Sequence, residues 1–479
     1  MTKTLIKNTG IYFIANLLSQ AAVFVLWIII AKILSPSEVG IYVLAIFIVD
    51  FFGAFALFGL NSAITRFYYS DEAREEIFLN SLIIFVVSNI ASLILLFLSV
   101  NFLSWMLPSI SVFLNSSIIL FSLLVIASSF YNLALSHYSA FKKAFLYAKT
   151  SLLQTILFFS FSLLFLYFGF GILGIFYALF ISYLIPTLLF ILDEIKILSF
   201  RLFSIKIIKS LLHYSIPMML YSTLGTVVMY IGRIFLDRYA SLSTLGVFGF
   251  FLAMALQVAA IWATFNRAWT PEIFSQLKEN KERALDNVKT MVFLSSFFYS
   301  LLFIFLIILK QSGFLGLFLE PVYLSNIYIL YILLLGPLFT GIYTAAYPLF
   351  YYKKKTKIIL LVSVILNLAD IALTFFMVKT LGQTGAALSY FISSVLSLFV
   401  LLLVFKKDME ISSDIIKWSL FVLLLSCIGI GVFLETSSGV LLLVVFGIIA
   451  FFAYKFGSIS KKYYLLGSVL AGIKSKFKK

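Results

Sequence analysis

The sequence predicts an all-α integral membrane protein of about 14 transmembrane helices, forming two pseudo-symmetric six-helix bundles plus a C-terminal helix pair. Of its 479 residues, 63% are apolar and only 11% are charged, and the mean hydropathy is +1.13. Apolar windows of about 20 residues, the length that crosses a bilayer as a helix, recur along the whole chain. A segment of the first half is also repeated in the second half. Because no soluble core needs so much apolar surface, lipid must be the solvent for most of the chain.

The predicted spans follow one another with short connections. In order they are 9–31, 39–62, 77–100, 116–137, 150–169, 172–192, 213–234, 245–268, 290–310, 326–348, 358–378, 385–405, 418–434 and 438–457. We divide the chain into an N-terminal lobe (1–194), an amphipathic cytoplasmic linker (195–212), a C-terminal lobe (213–405), the last helix pair (406–457) and a basic amphipathic cytoplasmic tail (458–479). Basic amphipathic segments of this kind lie on an anionic membrane surface, and the equal alternative for 458–479 is a solvated basic tail.

The repeat relates residues 31–42 to residues 237–248 without a gap, at an offset of 206. Lys32 then corresponds to Arg238, and Gly40 corresponds to Gly246. Further matches, such as Gly171-x-x-Gly174 with Gly382-x-x-Gly385 at an offset of 211, occur in the same order. Duplicated membrane bundles can rock about a shared central site, so the repeat indicates a transporter.

The positive charges predict the orientation. With the amino terminus inside, 30 of the 35 Lys and Arg residues fall on the inner side. Cytoplasmic segments of membrane proteins carry such an excess, so we expect both termini in the cytoplasm and the protein in the cytoplasmic (inner) membrane. The net charge of +16 is therefore explained by topology, and we expect no nucleic-acid partner.

Polar residues recur on one face of the first and the seventh predicted spans. Asn16 and Gln20 in the first span correspond, in the repeat, to Ser222 and Thr226 in the seventh, where Arg233 continues the stripe. Matching polar faces on matching helices would line one cavity between the lobes, although interhelical hydrogen bonding gives the same pattern. These five residues are candidates for the substrate cavity.

Two carboxylates lie deep inside predicted spans, Asp50 in the second and Asp370 in the eleventh. An acid in the middle of a membrane is a candidate functional group, since its ionised form is costly there. Each of them could carry H⁺ or Na⁺, or could be a structural group that pairs with a neighbour. Asn61 falls on the same helical face as Asp50 and joins the cavity candidates.

Two arginines end spans on the inner side, Arg66 in the second and Arg267 in the eighth. A guanidinium group can bind phosphate through two hydrogen bonds, so both are candidates for anion capture at a cavity mouth. The alternative is an ordinary positive-inside anchor for each of them.

Several classes of protein are excluded or disfavoured. There is no phosphate-binding loop for nucleotide hydrolysis. Two His and one Cys make a metal cluster implausible. No nucleophile elbow or triad can be assigned. We expect no enzyme activity, no catalytic residue, no metal and no cofactor, with H⁺ or Na⁺ as the candidate coupling ion.

The stretch from Lys7 to Tyr69 resembles the amino-terminal signature of the polysaccharide transporter family, the Wzx-type flippases. The matching residues are AKILSPSEVGIY from Ala31 and GLNSAITRF from Gly59. The motif marks the multidrug/oligosaccharidyl-lipid/polysaccharide (MOP) exporter superfamily well and the substrate poorly. The resemblance implies a V-shaped pair of lobes, alternating access, and movement of a polyprenyl-pyrophosphate-linked oligosaccharide from the cytoplasmic to the outer leaflet for cell-surface polysaccharide biosynthesis.

Two relatives with the same architecture remain alternatives. Lipid II flippases carry arginines along the first span, where this chain has Asn16 and Gln20. Cation-coupled multidrug (MATE-like) antiporters remain because of Asp50, although they would prefer an acidic or aromatic cavity without arginines at its mouth. The expected partners are the lipid-linked oligosaccharide and membrane lipids, with other polysaccharide-assembly proteins as further candidates.

Overall fold

The computed structural model describes residues 3–67, 74–141, 143–194, 202–279, 281–352 and 356–409. The helix pair predicted at 406–457 lies almost entirely outside the described residues, and the tail at 458–479 lies wholly outside them. The α-helices, in chain order, are α1 (Lys3–Ile33), α2 (Pro36–Leu57), α3 (Leu60–Phe67), α4 (Arg74–Met106), α5 (Ser111–Ser116), α6 (Ile118–Ala140), α7 (Ala144–Tyr167), α8 (Gly171–Glu194), α9 (Ile205–Tyr239), α10 (Leu242–Glu279), α11 (Lys281–Gln311), α12 (Pro321–Ser325), α13 (Tyr328–Tyr352) and α14 (Thr356–Met409). Short 3₁₀ helices cover Pro108–Ile110 and Phe314–Leu317.

The prediction of an all-α membrane fold is confirmed. Ten helical segments in the described ranges are long and apolar enough to cross a membrane, and Tyr328–Thr344 is a shorter apolar helix. Each of the first twelve predicted spans falls on one of these helices. Large apolar side chains lie exposed on the outside of the bundle, for example Leu98 at 77% and Ile119 at 71%. Such an exterior suits contact with lipid rather than with water.

Two breaks interrupt the helices, and the sequence pattern resolves only the second of them. The predicted span 39–62 is interrupted between α2 and α3, where Phe58 and Gly59 both have positive φ, 52° and 69°. Within α14, Gly382 has φ 56° and ψ −131°, a non-helical conformation that separates the two predicted spans 358–378 and 385–405. Glycine adopts positive φ without the steric cost of a Cβ atom, which explains its presence at these turns.

The start of α9 differs from the predicted boundary. Residues 205–212, which the sequence pattern assigns to the linker, form the first turns of α9, and the Ser204 side chain accepts a hydrogen bond from the Ile207 N–H as its N-cap. The backbone N–H of Ser204 in turn donates to Asn80 Oδ1 on α4 at 3.0 Å. The beginning of α9 is therefore attached to the N-terminal half.

Helix boundaries repeat along with the sequence. Helix α1 ends at Ile33 and α9 ends at Tyr239, while α2 begins at Pro36 and α10 begins at Leu242. Both pairs are separated by the same 206 residues as the sequence repeat. Ser35 caps α2 by accepting from the Glu38 N–H. Its equivalent, Ser241, accepts from the Thr244 N–H at 3.2 Å. The local sequence thus starts both helices by the same N-cap chemistry.

The two halves pack through equivalent helices. Helix α1 packs against α7 of its own half and α10 of the other, and its counterpart α9 packs against α14 and α2 in the same way. Helices α2 and α10 also contact each other extensively. This arrangement relates the halves by pseudo-twofold symmetry and places any site between α2, α9 and α10 at the centre of the molecule.

One end of the bundle, where the α1–α2 and α9–α10 turns lie, is closed by direct contact between the halves; we call it the turn end and the opposite one the far end. A Cβ atom on Gly246 would overlap the Pro36 carbonyl oxygen and come within 2.9 Å of the Gly40 nitrogen. A Cβ atom on Gly40 would lie 2.5 Å from the Leu242 carbonyl oxygen. Because the backbones touch here, the repeated glycines permit the crossing of α2 and α10.

Two hydrogen bonds join the halves at the turn end, and we call them the turn-end clasps. Lys32 Nζ donates to the Leu317 carbonyl oxygen at 3.1 Å. Arg238 Nη1 donates to the Trp105 carbonyl oxygen at 2.9 Å, and its Cζ lies 5.2 Å from the centre of the Trp105 ring. The two cations are equivalent in the repeat, and each binds a connection of the opposite half.

Candidate functional site

A polar cavity of about 230 Å³ lies at the centre of the molecule, between α2, α6 and α9. We call it the central cavity. Its lining includes six polar side chains: Asp50, Asn61, Ser128, Asn132, Ser222 and Thr226. No Lys or Arg belongs to the lining among the described residues. A polar void within an apolar bundle is a candidate binding site, since empty cavities are otherwise usually apolar.

Asp50 joins the two halves inside this cavity. The Tyr230 hydroxyl on α9 donates to Asp50 Oδ2 on α2 at 2.5 Å. Tyr230 is 4% exposed, whereas Asp50 is exposed to the cavity. The aromatic ring of Phe47, one turn earlier on α2, packs on Tyr230 with ring centres 5.2 Å apart. The carboxylate is therefore positioned by α9 and remains accessible from the cavity.

A second, small cavity lies on the other side of α9. Its volume is about 30 Å³, which is room for about one water or one small ion, and its polar lining includes Arg233, Asp370, Thr374, Ser389 and Tyr390. The Ser393 and Thr374 hydroxyls both donate to Asp370 Oδ1. Carboxylate and hydroxyl oxygens are suitable ligands for a hard cation.

Arg233 lies between the two acids. It is 5% exposed, and its Cζ atom lies 4.2 Å from the centre of the Tyr230 ring, whose hydroxyl binds Asp50. On its other side it lines the small cavity together with Asp370. One buried guanidinium group therefore borders the sites of both carboxylates.

The structure brings six of the ten predicted site residues into these two cavities. Asp50, Asn61, Ser222 and Thr226 line the central cavity. Arg233 and Asp370 line the small cavity. Three of the six belong to α9, and the other three lie on helices that pack against it, so α9 connects the two sites.

The other four lie elsewhere. Asn16 and Gln20 are half-buried on α1, outside the lining of both cavities, and α1 packs against α7 and α10. Arg66 is exposed near the end of α3, with its Cζ 4.8 Å from the centre of the Tyr214 ring. Arg267 belongs to α10, and the placement of its side chain is outside what the structure describes.

Sequence reasoning missed four contributors, namely Ser128 and Asn132 on α6 and Ser389 and Tyr390 on α14. Ser128 and Asn132 are four residues apart and share a helix face, with Asn132 Nδ2 donating to the Ser128 carbonyl at 2.9 Å. That spacing is the signal that could have found them. Tyr390 has no comparable signal, because single tyrosines are frequent in this chain.

A separate ionic cluster ties three helices of the N-terminal half together at the far end. Glu194, at the end of α8, lies 2.7 Å from Lys143 Nζ, just before α7. It also lies 3.3 Å from His137 Nε2 on α6. His137 and Glu194 are only 2% and 6% exposed, and the Phe141 ring stacks on His137 at 4.3 Å. The cluster lies apart from both cavities.

Among the described residues, no group of three or more His, Cys, Asp or Glu side chains is arranged to hold a metal ion.

A comparison with models of protein families assigns this chain to a family. The model of the family described as "Polysaccharide biosynthesis protein" matches residues 5–278, more than half of the chain. A search among curated proteins by sequence finds no match.

Solved structures share the fold. The lipid II flippase MurJ in an inward closed conformation has a TM-score of 0.71 at 17% identity, covering 93% of this chain and 98% of that one. The MATE multidrug transporter DinF-BH has a TM-score of 0.63 at 18% identity, covering 86% and 96%. An inward-facing MATE transporter of the MOP superfamily has a TM-score of 0.59 at 18% identity, covering 85% and 96%.

These likenesses show the fold, and the family match covers α1 to α10, including most of the central cavity. The chain therefore belongs to the polysaccharide biosynthesis protein family, and its fold is that of the MOP superfamily of membrane transporters and flippases.

Proposed function

We propose that this protein is a flippase that moves a polyprenyl-pyrophosphate-linked oligosaccharide from the cytoplasmic to the outer leaflet by alternating access. The observation that carries the proposal is a polar central cavity between two repeated halves whose turn end is closed by backbone contact. A glycan cannot cross hydrocarbon unaided, because burying its hydroxyl groups without hydrogen bonds is costly. The cavity offers those bonds while the lipid chain stays in the bilayer.

The proposed direction of transport also requires a defined orientation of the protein in the membrane. We place both termini in the cytoplasm, so that the turn end faces outward and the far end, with Arg66, faces inward. The closed turn end then corresponds to a state that is shut toward the outer leaflet. Rocking of the two halves about α9 and α10 would open it.

Reconstitution tests the function directly. The purified protein is placed in liposomes that contain a fluorescent polyprenyl-pyrophosphate oligosaccharide, and a membrane-impermeant reagent reports how much of it becomes exposed on the opposite leaflet. We expect exposure to increase only in vesicles that hold the protein. Vesicles with an inactive but folded variant serve as the control. Equal exposure in both would contradict the proposal.

A second candidate function is export of organic cations coupled to an ion. It is favoured by one observation: the carboxylate of Asp50 is exposed in the central cavity, whose described lining contains no basic residue. The same liposomes separate the two functions, because a multidrug antiporter would move a lipophilic cation and leave the lipid-linked glycan in place. Lipid II flipping is less favoured, because α1 contains no arginine.

We propose that Arg66 and Arg267 capture the pyrophosphate at the far end before the glycan enters. Replacing both by alanine is expected to reduce flipping at least tenfold, because each guanidinium–phosphate contact contributes about 1.5–3 kcal/mol and 1.4 kcal/mol is a factor of ten. The measurement is the initial rate of leaflet exposure at equal protein content. Lys209→Ala removes another exposed cation near the far end and should leave the rate unchanged. A normal rate in the double variant would show that the arginines only anchor the protein.

We also propose that Asp50 or Asp370 couples flipping to an H⁺ or Na⁺ gradient. Asp50→Asn is expected to remove the dependence of the flipping rate on an imposed gradient, since an amide cannot take up and release the ion. Asp370→Asn is the matched comparison in the other half. Full flux and retained gradient dependence in both variants would mean that these acids have structural roles.

A further inference from the structure

We propose that the central cavity is a sugar-ring subsite that accepts rings rich in hydroxyl and N–H donors and rejects acidic sugars and phosphate. This inference rests on the proposed flippase function and specifies which part of the cargo enters the cavity. It follows from which hydrogen-bond donors and acceptors of the lining remain free to bind a ligand.

The hydroxyl groups of α9 in the lining already donate their protons to carbonyl oxygens of the same helix. Ser222 Oγ donates to the Met219 carbonyl at 3.0 Å, and Thr226 Oγ1 donates to the Ser222 carbonyl at 3.1 Å. A hydroxyl group that donates to its own helix keeps its lone pairs for other partners. Both side chains line the cavity, so toward a ligand they act as acceptors.

Helices α6 and α2 add further acceptors. Ser128 Oγ donates to the Val125 carbonyl at 3.2 Å, and Asn132 uses one of its N–H bonds on the Ser128 carbonyl. Asp50, which lines the cavity, accepts from Tyr230 through Oδ2, so Oδ1 is the oxygen that can accept from a ligand. An ionised carboxylate accepts hydrogen bonds and cannot donate them.

The lining offers a ligand fewer hydrogen-bond donors than acceptors. Asn61 Oδ1 accepts from the Ser62 N–H at 2.9 Å, so its NH₂ group is the part available to a ligand. Together with the second N–H of Asn132 it can bind neutral oxygen atoms such as those of hydroxyl groups. The nearby guanidinium of Arg233 does not belong to the central lining; it is buried beneath the Tyr230 ring and lines the small cavity.

A lining rich in hydrogen-bond acceptors selects a ligand that carries hydrogen-bond donors. Sugar hydroxyl groups and the N–H of an acetamido group can each donate to Asp50, Ser222 or Thr226. Phosphate and uronate groups are acceptors only, and their negative charge would lie next to Asp50 in a medium of low dielectric constant. Such groups would leave the lining without partners, which is the strongest way for a polar site to reject a ligand.

The size of the cavity matches one part of the cargo. A volume of about 230 Å³ is the space of about seven or eight water molecules, which suits one sugar ring and not an oligosaccharide. The pyrophosphate attached to that ring then lies outside the central cavity, in the direction of α3, which carries Arg66. The inference therefore concerns the ring next to the lipid carrier.

Two synthetic probes test this directly: a polyprenyl pyrophosphate carrying a single N-acetylhexosamine, and the same lipid carrying a single hexuronic acid. Leaflet exposure of each is measured in liposomes that hold the full chain, without an ion gradient. We expect the N-acetylhexosamine lipid to be flipped at least tenfold faster. Equal initial rates for the two probes would overturn the inference and leave the proposed function standing.

Variants connect the selectivity to the lining. Asp50→Asn keeps the shape of the side chain and is expected to reduce the ratio of the two rates at least tenfold, whatever it does to the absolute rates. Thr226→Lys should shift the ratio further toward the acidic sugar. Thr380→Lys adds the same charge at an exposed position outside both cavities and should leave the ratio unchanged. An unchanged ratio in Asp50→Asn and Thr226→Lys would also overturn the inference.

Failure of the proposed function gives a different result. If neither sugar lipid is flipped while the lipophilic cation tetraphenylphosphonium crosses these vesicles faster than it crosses protein-free vesicles, the acceptor-rich cavity is a site for organic cations. The flippase function and the sugar subsite would then both be rejected.

Discussion

Gly246→Ala is expected to reduce transport at least tenfold, although the substitution adds one methyl group outside the lining of the central cavity. That methyl carbon would overlap the Pro36 carbonyl oxygen, so the backbones of α2 and α10 must separate. Overpacking of side chains typically costs about 1–3 kcal/mol, and here the obstacle is backbone, which cannot change rotamer. The closed turn end is therefore disfavoured at least tenfold against states that are open there.

The readout is the direction from which the central cavity is accessible. In a Cys427→Ser background, Ser222→Cys reports access by reaction with a membrane-impermeant thiol reagent added to either side. Gly246→Ala should increase labelling from the turn end and reduce flipping at least tenfold. Gly10→Ala is the matched control, because no atom lies within 4 Å of a Cβ atom at that position. Wild-type flipping and labelling in Gly246→Ala would show that closure does not depend on this crossing.

Glu194→Ala is expected to have the largest effect on stability. Glu194 is 6% exposed, and its carboxylate binds Lys143 and His137, so its removal leaves a buried imidazole and a half-buried ammonium group without their anion. Because the Lys143 side chain is 36% exposed, the pair is only partly buried, and the loss of a hydrogen bond to a charged group costs about 1.5–3 kcal/mol. The loss should appear as a lower free energy of unfolding in detergent and a lower melting temperature.

The neighbouring acid supplies the control. Asp193 precedes Glu194 on α8 and is exposed, so Asp193→Ala should change the free energy of unfolding by no more than about 0.5 kcal/mol. Equal stability of both variants would mean that the cluster of Glu194, Lys143 and His137 does not hold α6, α7 and α8 together. The purified Glu194→Ala protein should still flip at low temperature, because the cluster is separate from the cavities.

Hydropathy and the repeat were sufficient to predict the first twelve spans, because length and apolar content decide what crosses a membrane. They placed the gap between the predicted spans 358–378 and 385–405 where Gly382 breaks α14, but they could not predict the break at Phe58–Gly59, which depends on backbone conformation rather than on composition. Nor could they resolve where α9 begins, since Ile205 continues an apolar stretch that already looks amphipathic.

Cavity residues were predicted on both α1 and α9, but the structure brings them into cavities only around α9, because the repeat has diverged. The repeat makes Asn16 and Gln20 equivalent to Ser222 and Thr226, and it therefore predicts that they line a cavity as well. At the offset of 206, however, Asp50 corresponds to Leu256, Ser128 to Leu334 and Asn132 to Leu338. The polar partners that surround α9 are thus replaced by leucine around α1. A repeat fixes which helices are equivalent, whereas the polarity of each cavity depends on residues that changed independently.

The turn-end clasps are independent of each other. In a symmetric homodimer a residue of one subunit meets its target on the other, and the reverse contact follows automatically. Lys32 and Arg238 are equivalent in the repeat, but their targets are not, since at the offset of 206 Trp105 corresponds to Gln311 and Leu317 corresponds to Ser111. A single polypeptide can therefore change one contact without changing the other, and here one cation makes a simple ammonium contact while the other also lies over a tryptophan ring.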